Sequence, residues 1–225
     1  AVATNGYGTT LTEGNLQAAS TTACKTCGIS TVGLTNGKWY AEFKQTASNH
    51  ANNYGELGIH GDISNMVHNN PDGYGVLQYS AYGYTYWGYN ATTANGYKAN
   101  NDTSAQWGAS YDVGDIIGIA LDLTNNKIYM SKNGTFQESG DPTSGATGTG
   151  AMYSITAASS TPDGCYHMCV GDTSSSKTVT WQANFGSPIH SISSGNADDN
   201  GYGNFEYDVP SGYYAVCSKN LAQYG

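Results

Sequence analysis

The sequence predicts an all-β fold, and three observations carry that prediction. Nineteen Tyr, four Trp and four Phe supply the aromatic residues that strands favour, while 30 Gly among many Asn, Ser and Thr supply turns. Only 11% of residues are charged, and helix-period runs of Leu, Glu, Lys and Ala are missing, so long helices are not expected. Strand-like stretches alternate with turn clusters from one end to the other. At 225 residues the chain can bury one substantial core, and residues 1–225 read as a single domain.

The first clear strand is 38–46 (KWYAEFKQT). It places Trp39, Ala41 and Phe43 on one face and Lys38, Tyr40, Glu42 and Lys44 on the other, the period of a half-buried strand. Residues 54–60 (YGELGIH), 74–79 (YGVLQY) and 82–89 (YGYTYWGY) follow, separated by NNPDG and similar punctuation. Residues 115–123 (DIIGIALDL) and 127–132 (KIYMSK) flank a turn at Thr124, Asn125 and Asn126, a hairpin in which Asn accepts positive φ. Asn133-Gly134 makes a second tight turn, and later strands are expected at 151–157, 165–170, 178–184 and 213–217. The stretches 138–150 and 187–204 read as long surface loops. No repeat of fixed period occurs, which disfavours a propeller or solenoid.

The charge balance excludes several functions. All eight basic residues are Lys, and against seventeen Asp and Glu they leave a net charge of −9. Nucleic-acid binding needs clustered Lys and Arg, so no nucleic-acid partner is expected. Docking on an anionic membrane is disfavoured for the same reason. No apolar run approaches the roughly 20 residues of a membrane span. The start, AVATNGYGTT, has neither a basic nor an apolar leader region, so a signal peptide is read as absent or removed.

Four ordered blocks resemble the SPRY domain: GKWYAEF (37–43), ELGIHGD (56–62), GDIIGIALDLTNNKIYMSKNGT (114–135) and WQANFGSPI (181–189). The resemblance is closer still to the SPRY-domain structural proteins of tailed bacteriophages, through GNL at 14–16, CGISTVGLTNGKWY at 27–40 and YDVPSGYYAVCSKNL at 207–221. It implies a two-sheet antiparallel β-sandwich of the concanavalin-like, jelly-roll type. Two departures stand out. The Cys24–Cys27 segment replaces a basic residue usual in the family, and the 187–204 connection is long and acidic.

Chemistry-bearing residues are sparse. Glu42 and Glu56 sit in separate blocks with no E-x-D-x-E run, and no G-x-S-x-G elbow occurs, so no enzyme is expected. The Tyr-rich run holds the candidate ligand-binding residues Tyr82, Tyr84, Tyr86, Trp87 and Tyr89, since alternation turns about half of such a run outward. Cross-strand aromatic pairing is the alternative use for the same rings. Cys24, Cys27, Cys165 and Cys169 can form disulfides (Cys24 or Cys27 to Cys165), lie buried as thiols, or, with His167, bind zinc. Asn196, Asp198 and Asn200 space oxygen ligands like the start of a calcium loop, but Tyr207 stands where the bidentate Glu belongs. No cofactor is therefore expected, with calcium and zinc the two metals considered.

What the resemblance implies is a non-enzymatic protein on a bacteriophage virion surface: a head decoration, a head fibre or part of a tail fibre. Its partners would be other virion proteins or a host-surface glycan or protein, and its working form a homo-oligomer. A free lectin-like or peptide-binding SPRY module is the alternative.

Overall fold

The computed structural model describes residues 2–3, 9–20, 27–49, 54–64, 77–88, 95–173 and 177–225. Among these residues the strands, numbered in chain order, form one sheet of seven and one of nine. The first sheet runs β1 (Val2–Ala3), β4 (Cys27–Ile29), β14 (His167–Asp172), β6 (Gly55–His60), β7 (Gly83–Trp87), β8 (Asn95–Asn100) and β9 (Thr103–Ala109). The second runs β12 (Thr135–Phe136), β11 (Lys127–Lys132), β10 (Ile116–Asp122), β5 (Lys38–Ser48), β15 (Val179–Asn184), β3 (Gln17–Ser20) and β2 (Thr9–Thr12). Short β13 (Tyr153–Ser154) pairs with β11, and β16 (Tyr214–Ala215) lies parallel to β5; every other pairing is antiparallel.

Alternation along β5 explains the sandwich. Trp39, Ala41 and Phe43 point inward with Ile117, Ile119 and Leu121 of β10, as their spacing predicts. They meet Leu57 and Ile59 of β6, Tyr84 and Tyr86 of β7, and Met168 and Val170 of β14. The turns are also as read: Asn126 and Asn133 hold φ of 54° and 48°. One strand expectation fails. Within 74–79 the described residues Leu77–Tyr79 form a 3-10 turn, which lies flat on β7 because Gly83 has no side chain. A Cβ at Gly83 would collide with the Leu77 carbonyl oxygen.

The larger surprise is the C-terminal quarter. The stretch 187–204 is the surface loop the sequence predicts, and it also belongs to a coat that covers the outer face of the nine-stranded sheet. Tyr40, Ala120 and Tyr129 of the sheet and Phe205, Tyr213 and Ala215 of the coat form a second apolar cluster. Two carboxylates staple it down. Glu42, fully buried, accepts the backbone N–H groups of Glu206 (2.9 Å) and Tyr207 (2.8 Å) and the side chains of Asn184 and Tyr40. Asp198 accepts the backbone N–H groups of Asn200, Tyr202 and Ala215, each at 2.9 Å, and the Asn220 amide at 2.7 Å. Hydrogen bonds to charged groups contribute about 1.5–3 kcal/mol each, enough to order a segment with little apolar content of its own. The stretch 138–150 is tied in as well. It forms 3-10 turns at Gln137–Ser139 and Pro142–Thr147, and the Pro142 carbonyl accepts the Tyr213 hydroxyl at 3.0 Å. The coat ends in helix α1 (Ser218–Tyr224), whose Tyr224 stacks on Tyr214 with ring centroids 4.0 Å apart.

Candidate binding site

The aromatic run does not form the exposed platform its sequence suggested. Tyr84 and Tyr86 turn into the core, 5% and 0% exposed. Tyr86 packs edge-on against Trp107 and Tyr111, and its hydroxyl donates to the Ala109 carbonyl. The Tyr84 hydroxyl is bonded to Thr156. Alternation turns Thr85 and Trp87 the other way, as period 2 requires, but β7 is a central strand with both faces covered. Thr85 is fully buried, and half-buried Trp87 stacks on Tyr97 at 5.8 Å in a cross-strand pair. The Tyr84 and Tyr86 rings both serve the core in this fold. Tyr82 keeps partial exposure beside exposed Tyr79, and Tyr89 lies outside the described residues.

The residues with calcium-like spacing are all engaged within the coat. Asp198 is 6% exposed, and both its oxygens are taken up by the four N–H donors of the coat. The Asn200 amide donates to Asn220, and the Asn196 amide to the Glu206 carbonyl. The loop uses its oxygens and amides to fold itself. Among the described residues no group of three or more His, Cys, Asp or Glu is arranged to hold a metal ion.

The cysteines are also separated. Cys27 pairs in register with Gly171 of β14, six residues along the chain from Cys165, which precedes that strand. At about 3.3 Å per residue that is roughly 20 Å, far beyond the roughly 7 Å that a disulfide spans. Cys165 is a half-buried free thiol, Cys169 is buried, and Cys24 lies outside the described residues. Cys165 Sγ lies 3.3 Å from His167 Nε2. His167 Nδ1 sits 2.9 Å from the Ser30 carbonyl, which can only accept, so Nδ1 carries the proton and Nε2 faces the thiol. Burial, with Asp163 adding to it, pushes the Cys165 thiol above its ordinary pKa. Glu42 and Glu56 stand on β5 and β6, in different sheets, and share no cleft. Burial raises the Glu42 carboxyl, against the N–H donors of Glu206 and Tyr207 that lower it.

The concave site lies instead where the coat meets the edge of the sandwich. A hollow of about 450 Å³ opens between Phe185, Tyr202 and the Val216–Lys219 stretch. A second, of about 220 Å³, opens beside it against Ser30, Thr31 and Val32, and the two share Leu16, Phe185 and Val216 as a common ridge. Each wall follows from local folding. Leu16 ends the turn between β2 and β3, Phe185 leaves β15 packed edge-on against Phe43 at 5.7 Å, and Val216 follows β16 directly. Gly186 and Gly203, at φ of 115° and 96°, let the coat backbone close in around the first hollow. Lys219 holds its ammonium 5.0 Å over the Tyr202 ring, a cation–π contact on the rim. No carboxylate and no histidine lines either hollow among the described residues. The groove offers apolar walls, hydroxyls, two aromatic rings, one thiol and one ammonium, a mixture suited to holding a ligand. Sequence reasoning missed it, although a lone aromatic between glycines, Gly201-Tyr202-Gly203, was a signal for a ring held at the surface.

Comparison with known proteins agrees with this architecture. The SPRY domain of human HERC1 superposes with a TM-score of 0.56 at 16% identity, over 81% of this chain and 94% of that one. Stonustoxin gives 0.51 at 14% identity, over 80% of this chain and 26% of its own length. At such identities the likeness is one of fold. A search of curated proteins returns no match. The sequence profile of the SPRY domain matches residues 39–173, more than half of the chain, and the chain belongs to the SPRY-domain family.

Proposed function

We propose that this protein is a non-enzymatic binding module on the surface of a tailed-bacteriophage particle, as a head decoration, a head fibre or part of a tail fibre. It grips a neighbouring virion protein or a host-surface glycan in the two-lobed groove. One observation carries the binding half of this reading: the groove is walled by Leu16, Phe185, Val216, Tyr202 and Lys219, with the Cys217 thiol beside them and no carboxylate or histidine among its lining residues. A sugar ring or an apolar side chain would rest on the ridge, with Ser187, Ser218 and Lys219 placed to hydrogen-bond its polar edge. Support for the setting comes from the sequence. The ending YDVPSGYYAVCSKNL, which most resembles the phage proteins, supplies β16 and the Val216–Lys219 wall of the groove. Display on a particle would use a homo-oligomer, and this reading calls for no metal or cofactor.

Quantitative mass spectrometry of purified particles tests the setting. Hundreds of copies per particle indicate decoration and a few trimers indicate a fibre. Absence from particles overturns the virion reading and leaves a free lectin-like or peptide-binding module.

A further inference from the structure

Strand β9 closes one side of the seven-stranded sheet, and its exposed half carries none of the usual protection of a sheet edge. Residues 103–106 (Thr-Ser-Ala-Gln) are all exposed, with no Lys and no Pro, and no element among the described residues covers them. The direction of their backbone groups follows from the hairpin. β8 and β9 are joined by a two-residue turn, Asn101-Asp102, with φ of 50° and 57°. Such a turn closes on a hydrogen-bonded pair, here Asn100 and Thr103, and pairs then alternate along the ladder. Ala105 therefore bonds across to Lys98, while Ser104 and Gln106 turn their N–H and C=O groups away from β8. Beyond Gln106 the register shifts, with Gly108 at φ of 64°, and the next N–H groups are taken up from outside the ladder: Gly108 N–H by the Glu138 carboxylate at 3.1 Å and Ala109 N–H by Gln137 at 2.8 Å. The far half of the edge is capped, and the near half is open.

We propose that this open edge takes up an extended, basic peptide segment of another protein as an added strand. Its backbone would bond to Ser104 and Gln106, and its Lys or Arg side chains would meet Asp102 and Glu138. The local charges select this occupant. Asp102 and Glu138 are exposed acids at the two ends of the open window; Lys98 of β8 lies within electrostatic reach of Glu138 but spends its ammonium on the Met152 carbonyl and the Tyr153 ring. A second copy of the chain, itself at −9, would in antiparallel pairing bring Asp102 against the Glu138 that caps the facing strand. An uncharged or acidic strand gains nothing from those acids. Backbone pairing supplies the affinity and the flanking acids the selectivity.

The test uses the full chain and a capped nine-residue Thr/Val peptide with Lys at both ends. Binding is expected, with the Ser104 and Gln106 amides newly protected from hydrogen exchange. A Glu-ended counterpart should not bind. Gln106→Pro removes an outward N–H and the exposed side-chain bond to the Tyr97 hydroxyl, leaves the backbone pairing with β8 intact, and should weaken binding by about tenfold. Asp102→Asn with Glu138→Gln should weaken it several-fold and flatten its salt dependence. Should Gln106→Pro not fold, the wild type with a backbone N-methylated probe gives the same comparison, and binding should be lost. No binding of the Lys-ended probe, equal binding of the Glu-ended one, or a wild-type dimer that Gln106→Pro converts to monomer would each overturn the proposal. The last would assign the edge to a second copy.

Discussion

Replacing Asp198 with alanine removes one carboxylate and strands four donors at once. Two of them, Asn200 N–H and Tyr202 N–H, lie close enough to the surface for water to take over. The other two, Ala215 N–H and the Asn220 amide, belong to buried residues and would be left without that acceptor. A buried unsatisfied donor costs about 1–3 kcal/mol, so Asp198→Ala should cost roughly 2–6 kcal/mol, a large part of the ~5–15 kcal/mol that holds a typical domain together. Urea unfolding followed by tryptophan fluorescence measures it, with Asp199→Ala as the control. Asp199 is exposed and accepts only Ser211 and Gly212, so its loss should cost under about 1 kcal/mol. Calcium and a chelator should leave the wild-type midpoint unchanged. A midpoint raised by calcium in the wild type but not in Asp198→Ala, or an Asp198→Ala protein as stable as the wild type, would refute the staple.

Glu42→Gln puts an amide where two backbone N–H groups expect an acceptor and should cost about 1–3 kcal/mol. Its pH dependence has a definite sign. Burial holds the folded carboxyl above the ordinary glutamate pKa, so the fold favours the protonated form. That contribution is complete below the ordinary value and is lost as pH rises through the folded one. The stability difference between wild type and Glu42→Gln, followed by thermal unfolding across that range, should therefore fall with rising pH. Gly83→Ala should leave little folded protein by circular dichroism, because the Leu77 carbonyl occupies the space the methyl needs. With iodoacetamide, half-exposed Cys165 should alkylate slowly and buried Cys169 not at all under native conditions, read by peptide mass spectrometry.

Much of the scaffold could be read directly because it rests on local rules. Trp39, Ala41 and Phe43 alternate into the core, and Asn133-Gly134 turns where a type I′ pair must. What escaped depends on contacts distant in sequence. The period along β7 was read correctly, but a period cannot say that both faces of the strand are covered, and so Tyr84 and Tyr86 looked available. The coat is polar, and its order comes from Glu42, 164 residues before Glu206. The β8–β9 hairpin hid for the same reason: NGYKAN and TSAQWGA lack the apolar alternation of a half-buried strand, and only Asn101-Asp102 marks the turn. The groove is the product of those long-range contacts, since Leu16, Phe185, Tyr202 and Val216 lie on four separate stretches.

The account stands most directly on where a ligand settles and whether it leaves unchanged. A glycan or particle-protein fragment selected on an array would be titrated into the labelled protein and followed by nuclear magnetic resonance. Shifts should concentrate at Leu16, Phe185, Tyr202, Val216 and Lys219, the ligand should be recovered intact, and Tyr202→Ala should weaken binding about tenfold or more. Shifts centred on Tyr82 and Trp87 with the groove silent, or a ligand recovered cleaved, would contradict it.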